Sequence, residues 1–248
     1  MPLPTGLRPF PFPLLRSLSL FAVVLAAACI SFGQPGIDGS GRVVSQGRSM
    51  TGFDRVSVED EFDVVVTVGP AHAVQVTADD NLLPHVRTEV RGGTLHVETD
   101  RDLDSTEDIR VTIATPSLAA LSASGSSNVS ATGVRASSFE ISSSGSSDIS
   151  AEGDFGDIHS SVSGSGSLRM RGTGGDIDAS VSGSGDLDMG QVAARTARVK
   201  VSDSGSASVH AVDAVSASVS GSGDVRYAGS PQVDSSISGS ASVRRIGS

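Results

Sequence analysis

The stretch Ser182-Gly183-Ser184-Gly185-Asp186-Leu187 decides the fold, because six related stretches accompany it between residues 124 and 243. Each copy reads Ser-Gly-Ser, then Gly, Ser or Ala, then Asp, Asn or Ser, and ends on Val, Ile or Leu. The first glycines of the copies are Gly125, Gly145, Gly164, Gly183, Gly205, Gly221 and Gly239, with steps of 20, 19, 19, 22, 16 and 18 residues. A repeat of this length is typical of solenoids, in which each repeat forms one coil and packs only against its neighbours.

A coil of this size has room for three short strands and their corners, since a strand rises about 3.3 Å per residue. We therefore predict an all-β protein that folds as a right-handed parallel β-helix, or β-solenoid, with coils of roughly 18–22 residues. The Ser-Gly-Ser units would form the corners, because glycine readily adopts the positive φ of a tight corner. Alternating apolar residues beside the corners, such as Val162, Leu168 and Met170, would point inward and stack as aliphatic ladders.

The composition fits a narrow aliphatic interior. The chain of 248 residues has no Trp and a single Tyr, and hydrophobic residues make up 38% of it. A core built on large aromatic side chains is therefore not expected. Although Gly and Ser are abundant, the segments rich in them also carry Val, Ile and Leu at regular intervals, which a disordered Gly/Ser linker lacks.

Residues 51–248 are expected to form the solenoid domain in two parts. Residues 51–115 show alternation without the Ser-Gly-Ser repeat, which predicts a less regular N-terminal β part, and residues 116–248 carry the repeat coils. Arg91-Gly92-Gly93 predicts either a hairpin or a solenoid corner. Asn81-Leu82-Leu83-Pro84 predicts an irregular stretch or one helical turn.

The N-terminus has the features of an export signal. Residues 1–28 combine Arg8 and Arg16 with an apolar run that is shorter than the roughly 20 residues of a membrane span, which predicts a signal peptide. The run ends in Leu25-Ala26-Ala27-Ala28-Cys29, which resembles a bacterial lipobox except that Ala26 stands where a larger aliphatic residue is usual. Cys29 is therefore the candidate lipidation site, and ordinary cleavage after Ala28 or near Gly33 is the alternative.

Two further expectations follow for this region. Cys29 is the single cysteine of the chain, so a disulfide framework is excluded. Residues 29–50 lack hydrophobic periodicity and are expected to be a flexible lead-in.

The charge of the chain argues against nucleic acid as a partner. The formal net charge is −10, and removal of residues 1–28 takes away two arginines and no acid, which leaves about −12. A surface of this sign repels phosphate backbones. The acidic surface keeps a β protein soluble and attracts cations only weakly.

No metal or cofactor site is predicted. His72, His85 and His96 are each isolated, with no spacing that would bring them together as ligands. The acidic loop Asp100–Asp108 has carboxylates that could bind calcium, but it lacks the glycine and terminal glutamate of an EF-hand and is expected to be solvated. Gly183–Asp188 resembles the calcium-binding nonapeptides of secreted toxins, yet several copies carry serine in place of the aspartate. The Gly-Ser-Gly units lack the lysine and helix that follow a phosphate-binding loop.

No catalytic site is predicted either. The serines have no His and Asp placed with them as a nucleophile constellation, and His159 and His210 lie in different repeats. The pairs Asp176/Asp178 and Asp186/Asp188 would each share one side of a strand, which resembles some polysaccharide-cleaving β-helices and equally describes a solvent-facing surface. Such an enzyme would need a groove with clustered acids and aromatic side chains, and the near absence of aromatics counts against it.

The sequence resembles the bacterial family described as putative auto-transporter adhesin, head GIN domain. The resemblance covers roughly residues 53–246 and rests on five motifs. They are Phe53-Asp54-Arg55-Val56-Ser57-Val58, Phe62-Asp63-Val64-Val65-Val66, Asp80-Asn81-Leu82-Leu83, Gly92-Gly93-Thr94-Leu95-His96-Val97 and the Ser-Gly-Ser-Gly-Asp-Leu repeats. The resemblance implies an exported β-helical protein of the bacterial envelope, and it supplies no catalytic residues.

Three functional hypotheses follow. The first is an exported cell-envelope solenoid of adhesin-like or structural type, whose faces bind a surface glycan or a protein. The second is a β-helical carbohydrate-binding or carbohydrate-processing protein. The third is an envelope factor whose only membrane attachment is a lipid at Cys29. In each case the location is extracytoplasmic, as a periplasmic, surface-associated or secreted protein, and the open ends of the solenoid could pair with a second copy.

Overall fold

The structure is a computed structural model that describes residues 36–247. The predicted signal peptide and Cys29 lie outside the described residues. The N-terminal part contains β1 (Ile37–Asp38), β2 (Val43–Arg48), β3 (Arg55–Val58), β4 (Asp63–Val68), β5 (Ala73–Asp79), a 3-10 turn (Leu83–His85), β6 (Val86–Arg91), β7 (Thr94–Thr99), β8 (Leu103–Asp104) and β9 (Arg110–Thr115). The repeat part contains β10 (Ala120–Ala123), β11 (Asn128–Gly145), β12 (Asp148–Gly164), β13 (Ser167–Thr173), β14 (Asp176–Gly183), β15 (Asp186–Asp203), β16 (Ser206–Gly221), β17 (Asp224–Ala228), β18 (Gln232–Gly239) and β19 (Ser242–Arg245). No helix in residues 36–247 is long and apolar enough to cross a membrane.

The repeat part is a parallel β-solenoid, as the sequence predicts. From β10 to β19 every strand pairs in parallel with the strand one coil earlier or later. β11, β12, β15 and β16 are 16 to 18 residues long because each bends around one side of the coil and contributes to two faces. The fold class and the coil length expected from the repeats are therefore confirmed.

The register of the corners corrects one detail of the repeat alignment. Gly183 pairs with Asp203, and Asp203 pairs with Gly221, so Gly205 is not the equivalent of Gly183. Gly205 instead stacks on Gly185, whose carbonyl oxygen accepts a hydrogen bond from the amide of Ser206. The stacked column is Gly125, Gly145, Gly164, Gly183, Asp203, Gly221 and Gly239, with steps of 20, 19, 19, 20, 18 and 18 residues. The apparent steps of 22 and 16 thus disappear, and the coils are more uniform than the sequence suggests.

Close stacking explains why this column is almost all glycine. A Cβ added to Gly164 would lie 2.4 Å from the carbonyl oxygen of Gly145, and one added to Gly183 would lie 2.7 Å from that of Gly164. The same carbonyl oxygens accept hydrogen bonds from the amides of Ser165 and Ser184. The corner therefore continues the hydrogen-bond ladder from coil to coil, and at Gly164 and Gly183 the coils lie too close for a Cβ. Asp203 adopts a φ of +72° in the column and shows that the backbone conformation alone tolerates an aspartate.

The interior is a stack of aliphatic ladders, as expected. Along β12, β14 and β15 the inward positions are fully buried, and they include Val162, Val181 and Val201 in one column. Phe139 and Phe155 contribute an aromatic pair with ring centroids 5.2 Å apart. Because successive residues in a strand point to opposite faces, the outward positions on the same strands are all free to face solvent.

The N-terminal part is less regular, because antiparallel pairs lie beside parallel ones. β3 and β4 continue the solenoid by pairing in parallel with β10 and β11. Below them, β6 and β7 form an antiparallel hairpin around Gly92-Gly93, and β5 pairs antiparallel with β9. Arg91-Gly92-Gly93 is therefore a hairpin turn rather than a solenoid corner, and the helical turn expected near Pro84 is the 3-10 turn.

The expectation of a flexible lead-in over residues 29–50 is wrong for its described part. Residues 43–48 form β2, which pairs antiparallel with β5 along its whole length. Arg48 also donates a hydrogen bond of 3.0 Å to the carbonyl oxygen of Leu83. β2 is an edge strand with mostly exposed side chains, so it carries no hydrophobic periodicity, and its place in the sheet depends on backbone pairing that the sequence pattern does not show.

Candidate functional site

One face of the solenoid carries the most regular surface of the molecule. This face, here called the serine sheet, comprises β10, β14 and β18 together with the C-terminal halves of β11, β12, β15 and β16. Its strands end at the corner column described above. Because the strands stack in register, every outward position forms a straight ladder that runs along the solenoid axis.

Two neighbouring outward ladders of this sheet consist almost entirely of serine. The ladder nearer the corner contains Ser124, Ser144, Ser163, Ser182, Ser202, Ser220 and Ser238. The next contains Ser122, Ser142, Ser161, Ser180, Lys200, Ser218 and Ser236. Each coil thus presents a Ser-x-Ser unit whose middle residue points inward, and Lys200 is the one interruption.

Most of these hydroxyl groups have no hydrogen-bond partner among residues 36–247. Ser124 and Ser180 have contacts of 3.5 Å to backbone carbonyl oxygens, which is too long for a strong hydrogen bond. For the other serines of the two ladders, the part of the chain that the structure describes shows no side-chain hydrogen bond. Each hydroxyl is one donor and two acceptors, so the ladders present a regular array of free hydrogen-bonding groups.

Serines on the opposite long face are engaged instead. There, one outward ladder alternates Asp and Ser, and Ser167, Ser206 and Ser242 donate hydrogen bonds to Asp148, Asp186 and Asp224 of the coil before. The bond from Ser242 lowers the pKa of Asp224. This pairing explains why the fifth position of the repeat varies between Asp and Ser, since two aspartates in adjacent coils would repel each other. These serines are structural, whereas those of the serine sheet are available to a ligand.

A shallow depression of about 550 Å³ lies beside the serine ladders on the same sheet. It is lined by Asp157, His159, Asp176 and Asp178 among others, with Arg198 as the basic residue. Asp176 is held by hydrogen bonds from Thr196 and Arg195. No Phe, Tyr or Trp lines the depression, so it lacks the large stacking surface expected of a sugar-cleaving groove.

The two predicted acid pairs lie on different faces. Asp176 and Asp178 point outward from the serine sheet, whereas Asp186 and Asp188 belong to the opposite face. The structure therefore does not bring the four carboxylates into one groove, and Asp186 is engaged with Ser206.

The three histidines do not converge on one site, although one of them contacts the first residue of the acidic loop. His72 packs against Phe53 with ring centroids 4.7 Å apart, and His85 contacts Asp100 through Nδ1 at 3.0 Å. Over residues 36–247, no group of three or more His, Cys, Asp or Glu side chains is arranged to hold a metal ion.

The acidic loop Asp100–Asp108 is anchored rather than simply solvated. It contains β8, which pairs with β1, and it is tied down by the buried carboxylate of Asp79. Asp79 accepts hydrogen bonds from the amide and hydroxyl of Thr106 and from the hydroxyl of Ser105, at 3.0 to 3.1 Å. The Thr106 amide contributes most to lowering the pKa of Asp79.

The serine ladders were not predicted as a site, although the sequence contains a signal for them. Ser-x-Ser triplets such as Ser161-Val162-Ser163 and Ser218-Val219-Ser220 precede each of the six corner glycines, whereas Lys200-Val201-Ser202 precedes the equivalent Asp203. Alternation places both serines of a triplet on the outer side. The sequence pattern cannot show which serines bond to neighbours and which stay free, because that depends on the residue above in the next coil.

The comparisons with known proteins agree with this fold. A family model described as "Putative auto-transporter adhesin, head GIN domain" matches residues 52–231. Among solved structures, a putative adhesin from Bacteroides fragilis is 18% identical with a TM-score of 0.77, covering 85% of this chain and 100% of that one. A putative lipid binding protein from Parabacteroides distasonis is 25% identical with a TM-score of 0.70, covering 86% of this chain and 100% of that one. A putative adhesin from Parabacteroides merdae is 21% identical with a TM-score of 0.67, covering 85% of this chain and 99% of that one. A search of curated proteins finds no match.

Proposed function

The chain belongs to the family described as "Putative auto-transporter adhesin, head GIN domain", and on that premise we propose that it is a non-catalytic, adhesin-like protein of the cell envelope. The serine sheet is its contact surface, and a surface glycan is its ligand. The protein is exported by the signal peptide at residues 1–28 and acts outside the cytoplasm, with Cys29 as the position for a lipid anchor.

The observation that carries this proposal is the difference between the two sets of serines. On the opposite face, Ser167, Ser206 and Ser242 are bonded to aspartates. On the serine sheet the hydroxyls are equally regular but have no such partners. A fold that needed serine only for close packing would not require two outward ladders of it, since outward side chains do not separate the coils.

The chemistry of the array favours a glycan. Hydroxyls both donate and accept hydrogen bonds, as the hydroxyl and amide groups of sugars do. The ladders repeat at the strand spacing of about 4.7–4.9 Å, so an extended polymer of similar units can contact several coils at once. Each contact is weak, and affinity then depends on the number of coils engaged.

Paired substitutions on the two faces test the proposal. The binding variant carries Ser163→Glu and Ser220→Glu, and the matched control carries Ser150→Glu and Ser208→Glu on the opposite face, so that both add the same charge. The measurement is retention of purified protein on immobilised bacterial surface polysaccharides, with circular dichroism as the check on folding. We expect the binding variant to lose at least tenfold in affinity and the control to keep its affinity. Equal affinity of the two variants would place the binding site elsewhere.

A second candidate function is carbohydrate processing, and the depression with Asp157, Asp176 and Asp178 is the observation in its favour. Release of reducing ends from a bound polysaccharide, abolished by Asp178→Asn, would establish it. Binding without release supports the adhesin-like function.

The proposed anchor is tested separately by the intact mass and membrane partitioning of the exported protein and of Cys29→Ser. Acyl mass at Cys29 that is lost in the variant supports an anchored envelope protein. An unmodified product that does not partition would leave a free periplasmic or secreted protein.

A further inference from the structure

Two neighbouring basic residues interrupt the pattern of the serine sheet. Arg198 and Lys200 lie two residues apart in β15, so both side chains point outward from the same strand. Lys200 is the only lysine of the chain, and the other positions of its ladder are all serine. Both side chains are exposed, and among the described residues neither forms a salt bridge.

The residues beside this pair differ between the two adjacent coils. In β14, Asp178 lies opposite Arg198. In β16, Ser216 lies opposite Arg198 and Ser218 lies opposite Lys200. The two cations and these two serines therefore form the corners of a cell that contains no carboxylate, here called the basic cell, and Asp178 lies outside it. The Cα atoms at the corners are about 4.7–4.9 Å apart across the strands and about 6.6 Å apart along them.

A pair of arginines on the opposite face has no such cell. Arg169 and Arg171 are also two residues apart in one strand, β13, and both are exposed. Asp188 lies opposite Arg169 on one side, and Glu152 lies opposite Arg171 on the other. Each cell beside this second pair therefore contains a carboxylate, which repels an external anion.

The basic cell contains the donors that bind an anionic group. The guanidinium of Arg198 has N–H groups in a planar fork that matches a carboxylate, and the ammonium of Lys200 adds a compact charge with three donors. The two serine hydroxyls can donate further hydrogen bonds. Hydrogen bonds to ionised groups are roughly twice as strong as those between neutral groups, so one anion here contributes more to binding than a neutral sugar hydroxyl at a serine position.

We propose that the glycan bound by the serine sheet carries carboxylate groups, as a polymer with uronic acid units does, and that one of these carboxylates binds in the basic cell. This inference rests on the proposed function of the serine sheet and names the class of glycan. The serines around the cell contact the hydroxyl groups of the sugar ring that bears the carboxylate.

The charge of the rest of the sheet limits the number of carboxylates that the glycan carries. The ladder that contains Arg198 also contains Glu140, Asp178 and Asp234. These carboxylates, together with the net charge of −10, repel a polymer that is charged at every unit. The matching ligand therefore has carboxylates at wide intervals between neutral sugars.

Two polymers with the same backbone test the role of the carboxylate. One is a galacturonan that is mostly methyl-esterified, and the other is the same galacturonan fully methyl-esterified, which has no free carboxylate. We expect the purified protein to bind the first polymer at least tenfold more tightly, and high salt should reduce this preference. Equal retention of the two polymers, including retention of neither, would overturn the proposal.

Substitutions separate this inference from the proposed function. Arg198→Ser combined with Lys200→Ser introduces the residue that β16 carries at both positions, and it should lose the preference while keeping the wild-type affinity for the fully esterified polymer. The matched control is Arg169→Ser combined with Arg171→Ser, which removes the same charge from the opposite face and should keep the preference. A preference that survives in the first variant, an equal loss in both variants, or a loss of affinity for both polymers would overturn the proposal. Failure of the proposed function is recognised separately, because the glutamate variant of the serine sheet would then bind surface polysaccharides as tightly as its control.

The single lysine provides a test that needs no polymer. Reductive methylation with a carbon label keeps the charge of Lys200 and gives the side chain an NMR signal, which Lys200→Ser identifies by its loss. We expect glucuronate to shift this signal saturably and to bind at least tenfold more tightly than acetate or inorganic phosphate, because the neighbouring hydroxyls contact the sugar ring. Arg198→Ser should weaken glucuronate binding at least tenfold, and Arg169→Ser should not. A signal that glucuronate does not move would overturn the proposal, and so would equal binding of acetate, since the pair would then bind free anions rather than an acidic sugar.

Discussion

The glycine column at the corners allows a stability prediction that separates two physical effects. Gly164 has a φ of +108°, and a Cβ there would lie 2.4 Å from the carbonyl oxygen of Gly145. Gly164→Ala therefore combines an unfavourable backbone conformation with a steric overlap between coils. Two other glycines in strands or turns serve as controls, because each removes one or both of these effects.

The backbone effect alone is isolated at Gly92, which has a φ of +58° and no atom within 4 Å of an added Cβ. A left-handed conformation costs a non-glycine residue about 1–2 kcal/mol. The reduced entropy of the unfolded chain returns about 0.4–1 kcal/mol, so Gly92→Ala should destabilise by about 1 kcal/mol. Gly47 has neither a positive φ nor a close neighbour, and Gly47→Ala should be neutral or stabilising by about 0.5 kcal/mol.

The overlap at Gly164 adds to the backbone effect. Relief requires the two coils to separate by roughly half an ångström, in a ladder whose strands are normally about 4.7–4.9 Å apart. Overpacking of this kind typically costs about 1–3 kcal/mol, so Gly164→Ala should lower the free energy of unfolding by about 2–4 kcal/mol in total. Because each coil contacts only its neighbours, the loss should appear locally as faster amide exchange in the strands next to the corner.

Urea denaturation followed by circular dichroism, with hydrogen exchange as the local probe, measures these differences. The order of stability should be Gly47→Ala, then Gly92→Ala, then Gly164→Ala. If Gly164→Ala and Gly92→Ala lie within about 0.5 kcal/mol of each other, the φ value alone explains the glycine. The close stacking of coils would then be refuted as the cause.

Three further predictions follow from other features. Ser206→Asp places a carboxylate between Asp186 and Asp224 and should lower the free energy of unfolding by about 1–2 kcal/mol at pH 7. High salt should remove this loss, and Ser206→Asn should not show it. Urea denaturation at two salt concentrations measures the loss, and a loss that does not depend on salt would contradict the charge argument. Asp79 has a lowered pKa in the folded protein, so its ionised carboxylate stabilises the fold fully above the unfolded pKa, and this stabilisation is lost as the pH falls through the folded pKa. Asp79→Asn should therefore have a lower free energy of unfolding than wild type at neutral pH, and the two free energies should converge in acid. A difference in free energy that persists in acid would assign the effect to packing. Ser160 is buried in the interior, and its hydroxyl has no hydrogen-bond partner in the described part of the chain. Ser160→Ala should therefore raise the free energy of unfolding by about 1 kcal/mol, and a loss of stability in thermal denaturation would indicate that the hydroxyl is satisfied.

Much of the fold could be predicted because the repeat and the alternation act at short range. A strand exposes successive side chains to opposite sides, so residues such as Val181 and Leu187 are assigned to the interior without knowledge of any partner. The corner glycine is also a local signal, since positive φ is a property of one residue. The absence of tryptophan and the near absence of tyrosine follow from the same narrow interior.

The register between coils could not be read in this way. Asp203 occupies the corner position of its coil, while Gly205 looks like the corner glycine in the sequence. A carbonyl oxygen beneath the position forbids a Cβ at Gly164, but Asp203 keeps the same backbone conformation with its side chain reaching back to the amide of Gly183 at 3.3 Å. Residue type alone therefore gives the wrong corner position when a residue other than glycine adopts the backbone conformation of the corner.

The sequence by itself determined that this protein is a parallel β-solenoid with an aliphatic core and Ser-Gly-Ser corners, because periodicity and backbone preference are encoded residue by residue. Only the tertiary structure decided that β2 joins the sheet and that one set of serines bonds to aspartates while another stays free. Each of these depends on which residue lies one coil away. The hydrogen-bond ladder between coils sets that neighbour. The spacing of the repeats in the sequence gives the register of this ladder only approximately.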